Sequence, residues 1–132
     1  MARQLTLTLP ATGRAAGLAR RWTRDALSAW RVAHLEETAV LLVSELVSNV
    51  LRHARTEVLA MVLCLEPEGV LLIEVHDADT CEPRPRVPGG LDESGFGFVL
   101  VEALAGKWGV RQTATGKAVW VELDARQPVN HP

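Results

Sequence analysis

Several things are scarce or missing in this sequence, and each absence excludes a class of protein. The only two cysteines, Cys64 and Cys81, form no CxxC pair, so a reduced cytoplasm is the expected compartment. No charged-then-apolar leader opens the chain and no eighteen-residue apolar run follows, so neither secretion nor a membrane span is expected. A basic excess is missing too. The 14 Lys and Arg stand against 16 Asp and Glu, a net charge of -2, whereas direct nucleic-acid binding calls for a basic stripe. There is no internal repeat. Neither the phosphate-binding pattern GxxxxGK[ST] nor the nucleophile elbow GxSxG occurs, which excludes a P-loop and leaves a serine hydrolase without support.

What is present suits one domain over residues 1–132, since 48% of the residues are hydrophobic, ample for a single core. Gln4 to Leu9, QLTLTL, alternates apolar and polar as a half-buried strand does, and Pro10 ends it. Thr12 offers a cap for a helix from about Gly13 to Arg31, with Ala15, Leu18, Ala19, Trp22, Ala26, Ala29 and Trp30 on one stripe. Arg14, Arg20, Arg21 and Arg24 fall away from that stripe, as a solvated face or a partner surface. A second helix is predicted from about Ala33 to Ala54. Val58 to Leu65 and Val70 to Val75 are apolar, β-branched runs around the turn signal EPEG. Asp77 to Ser94 holds Pro83, Pro85, Pro88 and Gly89-Gly90, a loop long enough to suggest function. GFGFVLVEALAG reads as a buried helix, apolar nearly all round. Strands from about Trp108 to Thr113 and Ala118 to Leu123 follow, joined by a turn at Thr115-Gly116-Lys117, with residues 125–132 as a frayed tail. This order predicts an α+β two-layer sandwich. Its sheet is mixed and mostly antiparallel, of about five strands, with about three helices on one face.

The second helix carries the chemistry. Residues four apart on a helix drift only about 40° around it, so Leu35, Ala39, Leu42, Val43, Leu46, Val47 and Val50 share one broad arc. Glu45 and Asn49 stand together just off one margin, with His53 next along the line. A carboxylate and a carboxamide at the rim of a core suit a cleft, the amide oxygen being a neutral ligand for a hard cation such as Mg²⁺. A merely polar stripe beside the core accounts for the same spacing. Asp77 closes an apolar strand and opens the long loop, a position for a ligand-reading carboxylate. Gly95-Phe96-Gly97 opens a buried helix, where backbone N–H groups and the helix dipole favour an anion. His53, His76 and Cys81 match no common zinc spacing.

ELVSNVLRHA, a strand ending VHDAD, ESGFGFVLVEALAGKWGV and TGKAVWVEL together resemble the Bergerat-fold (GHKL) ATP-binding superfamily. The resemblance covers residues 5–123 and is nearest to the small anti-sigma-factor serine/threonine kinases of actinomycetes. It implies ATP and Mg²⁺ as cofactors, with Asn49 holding the metal on the ATP phosphates. It makes Glu45 the general base toward a substrate hydroxyl, and Asp77 the partner of the adenine amino group. Gly95 and Gly97 would lie against the phosphates, His53 would follow in the same box, and Thr115 would supply an adenine-side hydroxyl. Residues 77–94 would include the ATP lid, with Arg84 or Arg86 toward phosphate. The implied partners are a sigma factor and an anti-anti-sigma (STAS-type) antagonist, and the implied assembly is a homodimer built on the first strand or first helix. One departure stands out: where the family reads Asp-x-Gly-x-Gly, this chain has Asp77-Ala78-Asp79-Thr80-Cys81, which replaces small, permissive residues with bulk and charge. A partner-binding module with little or no ATP turnover is therefore the alternative to a kinase, and an unrelated hydrolase built on Glu45 and His53 is a third class.

Overall fold

The computed structural model describes residues 2–78 and 101–126. Within them lie a strand β1 (Arg3–Pro10), helices α1 (Ala15–Ala29) and α2 (Glu36–His53), and strands β2 (Val58–Leu65), β3 (Val70–Asp77), β4 (Lys107–Gln112) and β5 (Lys117–Asp124). A 3₁₀ turn over Ala33–Leu35 leads into α2, and residues 101–104 are helical. The sheet order is β1-β2-β3-β5-β4, and all four pairings are antiparallel, not mixed as expected. Short turns explain this for β2–β3 and β4–β5. The long excursion through α1 and α2 returns β2 beside β1 in the opposite sense.

Period-two alternation decides which side chains meet the helices. On β3, Leu71, Ile73, Val75 and Asp77 are buried while the residues between them are half-buried. Their cross-strand partners Leu63, Met61 and Leu59 on β2, and Leu123, Val121, Val119 and Lys117 on β5, share the same face. Ala39, Leu42, Val43, Leu46, Val47 and Val50 of α2 close over it, with α1 packed beside α2. The predicted α2 stripe is thus the core seam, apart from Leu35, which lies in the 3₁₀ turn and packs partly buried at its edge. Of the GFGFVLVEALAG segment only the last residues are described. There Val101 is buried and Leu104 packs on the core, but Glu102 and Ala103 are exposed, so this part is not buried all round as expected.

The helix ends differ from expectation in instructive ways. Thr12 does not cap α1: Arg14 occupies the N-cap, and the Thr12 hydroxyl accepts its N–H at 3.3 Å. At the other end Val32 N–H donates to Leu27 O at 2.9 Å and Arg31 N–H to Ser28 O at 3.1 Å. This is a Schellman closure, sealed by burial of Leu27 and Val32. The residue at its left-handed position is Arg31, with φ of 62°, where glycine is usual. Arg20 and Arg24 are not simply solvated, for they reach Ser44 at 3.3 Å and Glu36 at 3.6 Å on α2. The four tryptophans are all half-buried. Trp22, Trp30 and Trp108 pack on the core, whereas Trp120 lies over Gly109 on the face away from the helices, where a Cβ on the glycine would come within 2.7 Å of the indole.

Beside Trp120 on that outer face, Glu74 accepts from Arg111 at 3.1 and 3.2 Å and from His76 Nε2 at 2.7 Å. Burial raises the Glu74 carboxyl, but the Arg111 and His76 hydrogen bonds and charges outweigh it and hold the group below its usual range. Cys64, on the same face, is buried and free. Burial, then the carboxylates of Glu66, Glu74 and Glu68, push its thiol up, which leaves little reactive thiolate.

Two stability predictions follow from these contacts. The left-handed region costs an L-residue about 1–2 kcal/mol, partly offset by the larger unfolded-state entropy of glycine, so Arg31→Gly should stabilise the fold by about 0.5–1 kcal/mol in urea denaturation. A carboxylate depressed in the folded state contributes stability above its unfolded pKa and loses it as pH falls through the folded value. Glu74→Gln should therefore be less stable than the parent at neutral pH. The gap should narrow on acidification through the carboxylate range, as followed by thermal unfolding against pH.

Candidate functional site

Two groups of expected site residues fall on elements that pack together, α2 and β3. Glu45 and Asn49 are half-buried on α2, beside the fully buried Leu46 and Val50, so both sit at the rim of the core. Asn49 Oδ1 accepts from Arg52 at 3.5 Å, the outer limit of a hydrogen bond, and its amide remains available to a stronger partner. His53 is the last residue of α2 and is exposed. Arg52 and His53 put positive charge in the last turn, where it complements the helix dipole.

Asp77 ends β3 on the helix-facing side because the alternation that buries Leu71, Ile73 and Val75 continues through it. Its side chain is only 2% exposed. A carboxylate so placed requires compensation, and Lys117 supplies it: Nζ lies 3.3 Å from Asp77 Oδ2, with the lysine side chain 32% exposed. The two residues are direct cross-strand partners in the β3–β5 register. Gly116 makes the approach possible, since a side chain at that position would run into the Asp77 carbonyl. On the other flank, the Thr56 hydroxyl accepts the Ala78 N–H at 3.0 Å, pinning the backbone just past Asp77.

Thr115 directly precedes Gly116. It is exposed in the turn closed by Thr113 N–H on Gly116 O at 2.8 Å. Lys117, two residues on, is the β5 residue that meets Asp77. Sequence reasoning placed Lys117 in a turn; counting strand alternation back from Val119 and Val121 assigns it to the buried face. Thr56 was not singled out either, and no sequence signal marks it. Gly95, Gly97, Arg84, Arg86 and Cys81 lie outside the described residues, as does most of the expected lid.

The donors among the described residues suit an oxyanion-bound cation better than a protein-held one. Among the described residues no group of three or more His, Cys, Asp or Glu is arranged to hold a metal ion. One amide oxygen at a core rim is, however, the kind of single protein ligand that Mg²⁺ accepts when phosphates and water supply the rest. Asn49 fits that part. A concavity of about 470 Å³ opens on the outer side of α1 and α2, lined by Arg20, Arg24, Glu36, Glu37, Val40, Leu41 and Ser44. It holds none of the expected site residues. No helix among the described residues is long and apolar enough to cross a membrane.

Comparison with curated proteins gave no significant match. The family profile described as histidine kinase-like ATPase domain matches residues 9–123, from the end of β1 to the end of β5. With its five-stranded antiparallel sheet under helices and its buried Asp77 at the end of β3, the chain belongs to the histidine kinase-like ATPase domain family.

Proposed function

We propose that this protein is a nucleotide-dependent serine/threonine kinase of the anti-sigma type, acting on an anti-anti-sigma antagonist of the STAS kind. The observation that carries the reading is the pairing, in a domain of the ATPase family, of Glu45 and Asn49 at the margin of α2 with a buried carboxylate at the end of β3. In this reading Asp77 accepts a hydrogen bond from the adenine amino group. Asn49 offers its amide oxygen to Mg²⁺ on the triphosphate; when bound, the ion neutralises phosphate charge. Glu45 takes the proton of a serine or threonine hydroxyl as its oxygen bonds to the γ-phosphorus and the ADP oxygen leaves. Phosphoryl transfer depends mostly on such positioning and charge neutralisation, so a small set of side chains suffices.

The proposal extends to assembly as a homodimer that sequesters a sigma factor in the cytoplasm. In its support, β1 is an edge strand with Leu5 38% exposed, and α1 presents Leu18 at 45% exposure. The second reading, a partner-binding module without turnover, is favoured by one feature: Asp79 and Cys81 stand where the family pattern Asp-x-Gly-x-Gly has its two glycines.

Phosphotransfer to a purified STAS-type antagonist with ATP and Mg²⁺ separates the two. Glu45→Ala should keep ATP affinity and lose about 10²–10⁴-fold in phosphoserine formation, the usual contribution of a general base. A parent protein that forms no phosphoserine, matched by an indistinguishable variant, would exclude the kinase. Asp77→Asn should weaken ATP binding about ten- to a hundredfold in calorimetry, the loss of about 1.5–3 kcal/mol from a charged hydrogen bond.

A further inference from the structure

We infer that Lys117 is a specificity-determining residue that reads N1 of the purine, so that Asp77 and Lys117 recognise the adenine edge at two adjacent points. The inference rests on the nucleotide-binding reading above and adds a residue to it. Its basis is the 3.3 Å contact between Lys117 Nζ and Asp77 Oδ2, together with a register that sets the two side chains directly opposite each other on the helix-facing side of the sheet.

An ammonium carries three N–H donors, and the contact with Asp77 occupies one. The Lys117 side chain is 32% exposed while that of Asp77 is 2% exposed, so the lysine is the more solvent-accessible member of the pair and the carboxylate the more deeply buried one. A carboxylate only accepts and an ammonium only donates. Side by side they present an acceptor–donor pair. Adenine offers the complementary pair along its edge, the N6 amino donor next to the N1 acceptor. When Asp77 takes the N6–H, the neighbouring ammonium falls to N1. A hypoxanthine or guanine base in the same seat turns a carbonyl toward Asp77 and an N1–H toward Lys117, two like-with-like contacts that leave buried groups unpaired.

Backbone constraints hold the pair in place. The lack of a side chain at Gly116 lets β5 close on the Asp77 backbone, and Thr56, in the connection just before β2, fixes Ala78 from the other flank. Neither strand end is free to slide without breaking the register that joins the two charged groups.

The test compares ATP with 1-deaza-ATP, in which N1 is replaced by C–H, by calorimetry on the parent and on Lys117→Ala and Lys117→Arg. The parent should bind 1-deaza-ATP about tenfold more weakly than ATP, equivalent to one charged hydrogen bond. Lys117→Ala should bind ATP about tenfold more weakly than the parent and no longer distinguish the two nucleotides. Lys117→Arg, which keeps N–H donors, should restore part of the discrimination. The parent measurement needs no variant to fold. Equal binding of both nucleotides by the parent overturns the assignment of Lys117 while leaving ATP binding intact. So does a Lys117→Ala variant that binds ATP more tightly, since the ammonium would then be competing with the base for Asp77. Failure of ATP itself to bind the parent at millimolar concentration overturns the nucleotide reading, and this inference with it.

Discussion

Six side chains of α2, from Ala39 to Val50, lie against the sheet and α1 with almost no contact with water. Each large one contributes about 1.5–3 kcal/mol through burial. Their removal from solvent fixes the rotation of the helix about its own axis. Turn α2 by one residue, about 100°, and Leu42 and Leu46 leave the core while Ser44 or Glu45 enter it. That cost holds Glu45 and Asn49 at the rim. The chemistry of the helix is therefore positioned by packing, with no dedicated hydrogen bond required to aim either group.

The same logic governs β3, with an added charge. Alternation that buries Leu71, Ile73 and Val75 carries Asp77 inward, and the isolated carboxylate would be costly there. Lys117 makes the placement tolerable because the β3–β5 register sets it opposite. Stability and recognition coincide at this pair: the arrangement that compensates a buried carboxylate also sets an acceptor beside a donor. The outer face shows a separate solution, where Arg111 and His76 converge on Glu74 next to Trp120.

Much of this was legible in the sequence because it depends on local periodicity. The stripe in α2 and the alternation in β2, β3 and β5 gave the α+β sandwich and the margin position of Glu45 and Asn49. Properties set by pairing between distant segments were not. The entirely antiparallel sheet depends on how β1 docks beside β2, which no local pattern reveals. The Asp77–Lys117 contact depends on the length of the hairpin turn between Gln112 and Lys117, which sets the register of β5 against β3 and which no local periodicity fixes. Arg31 in the left-handed position is another such case: the helix was expected to run through it, and the Schellman closure overrode a residue that does not favour that geometry.

The central claim is that the margin of α2 and the end of β3 form one nucleotide site. Amide resonances followed by two-dimensional NMR during titration with ATP and Mg²⁺ test it most directly. The account predicts that the largest shifts cluster at Asn49, at Ala78 beside Asp77, and at Lys117. Shifts confined to the α1–α2 concavity around Leu41 and Ser44, or a spectrum unchanged at millimolar ATP, would contradict it.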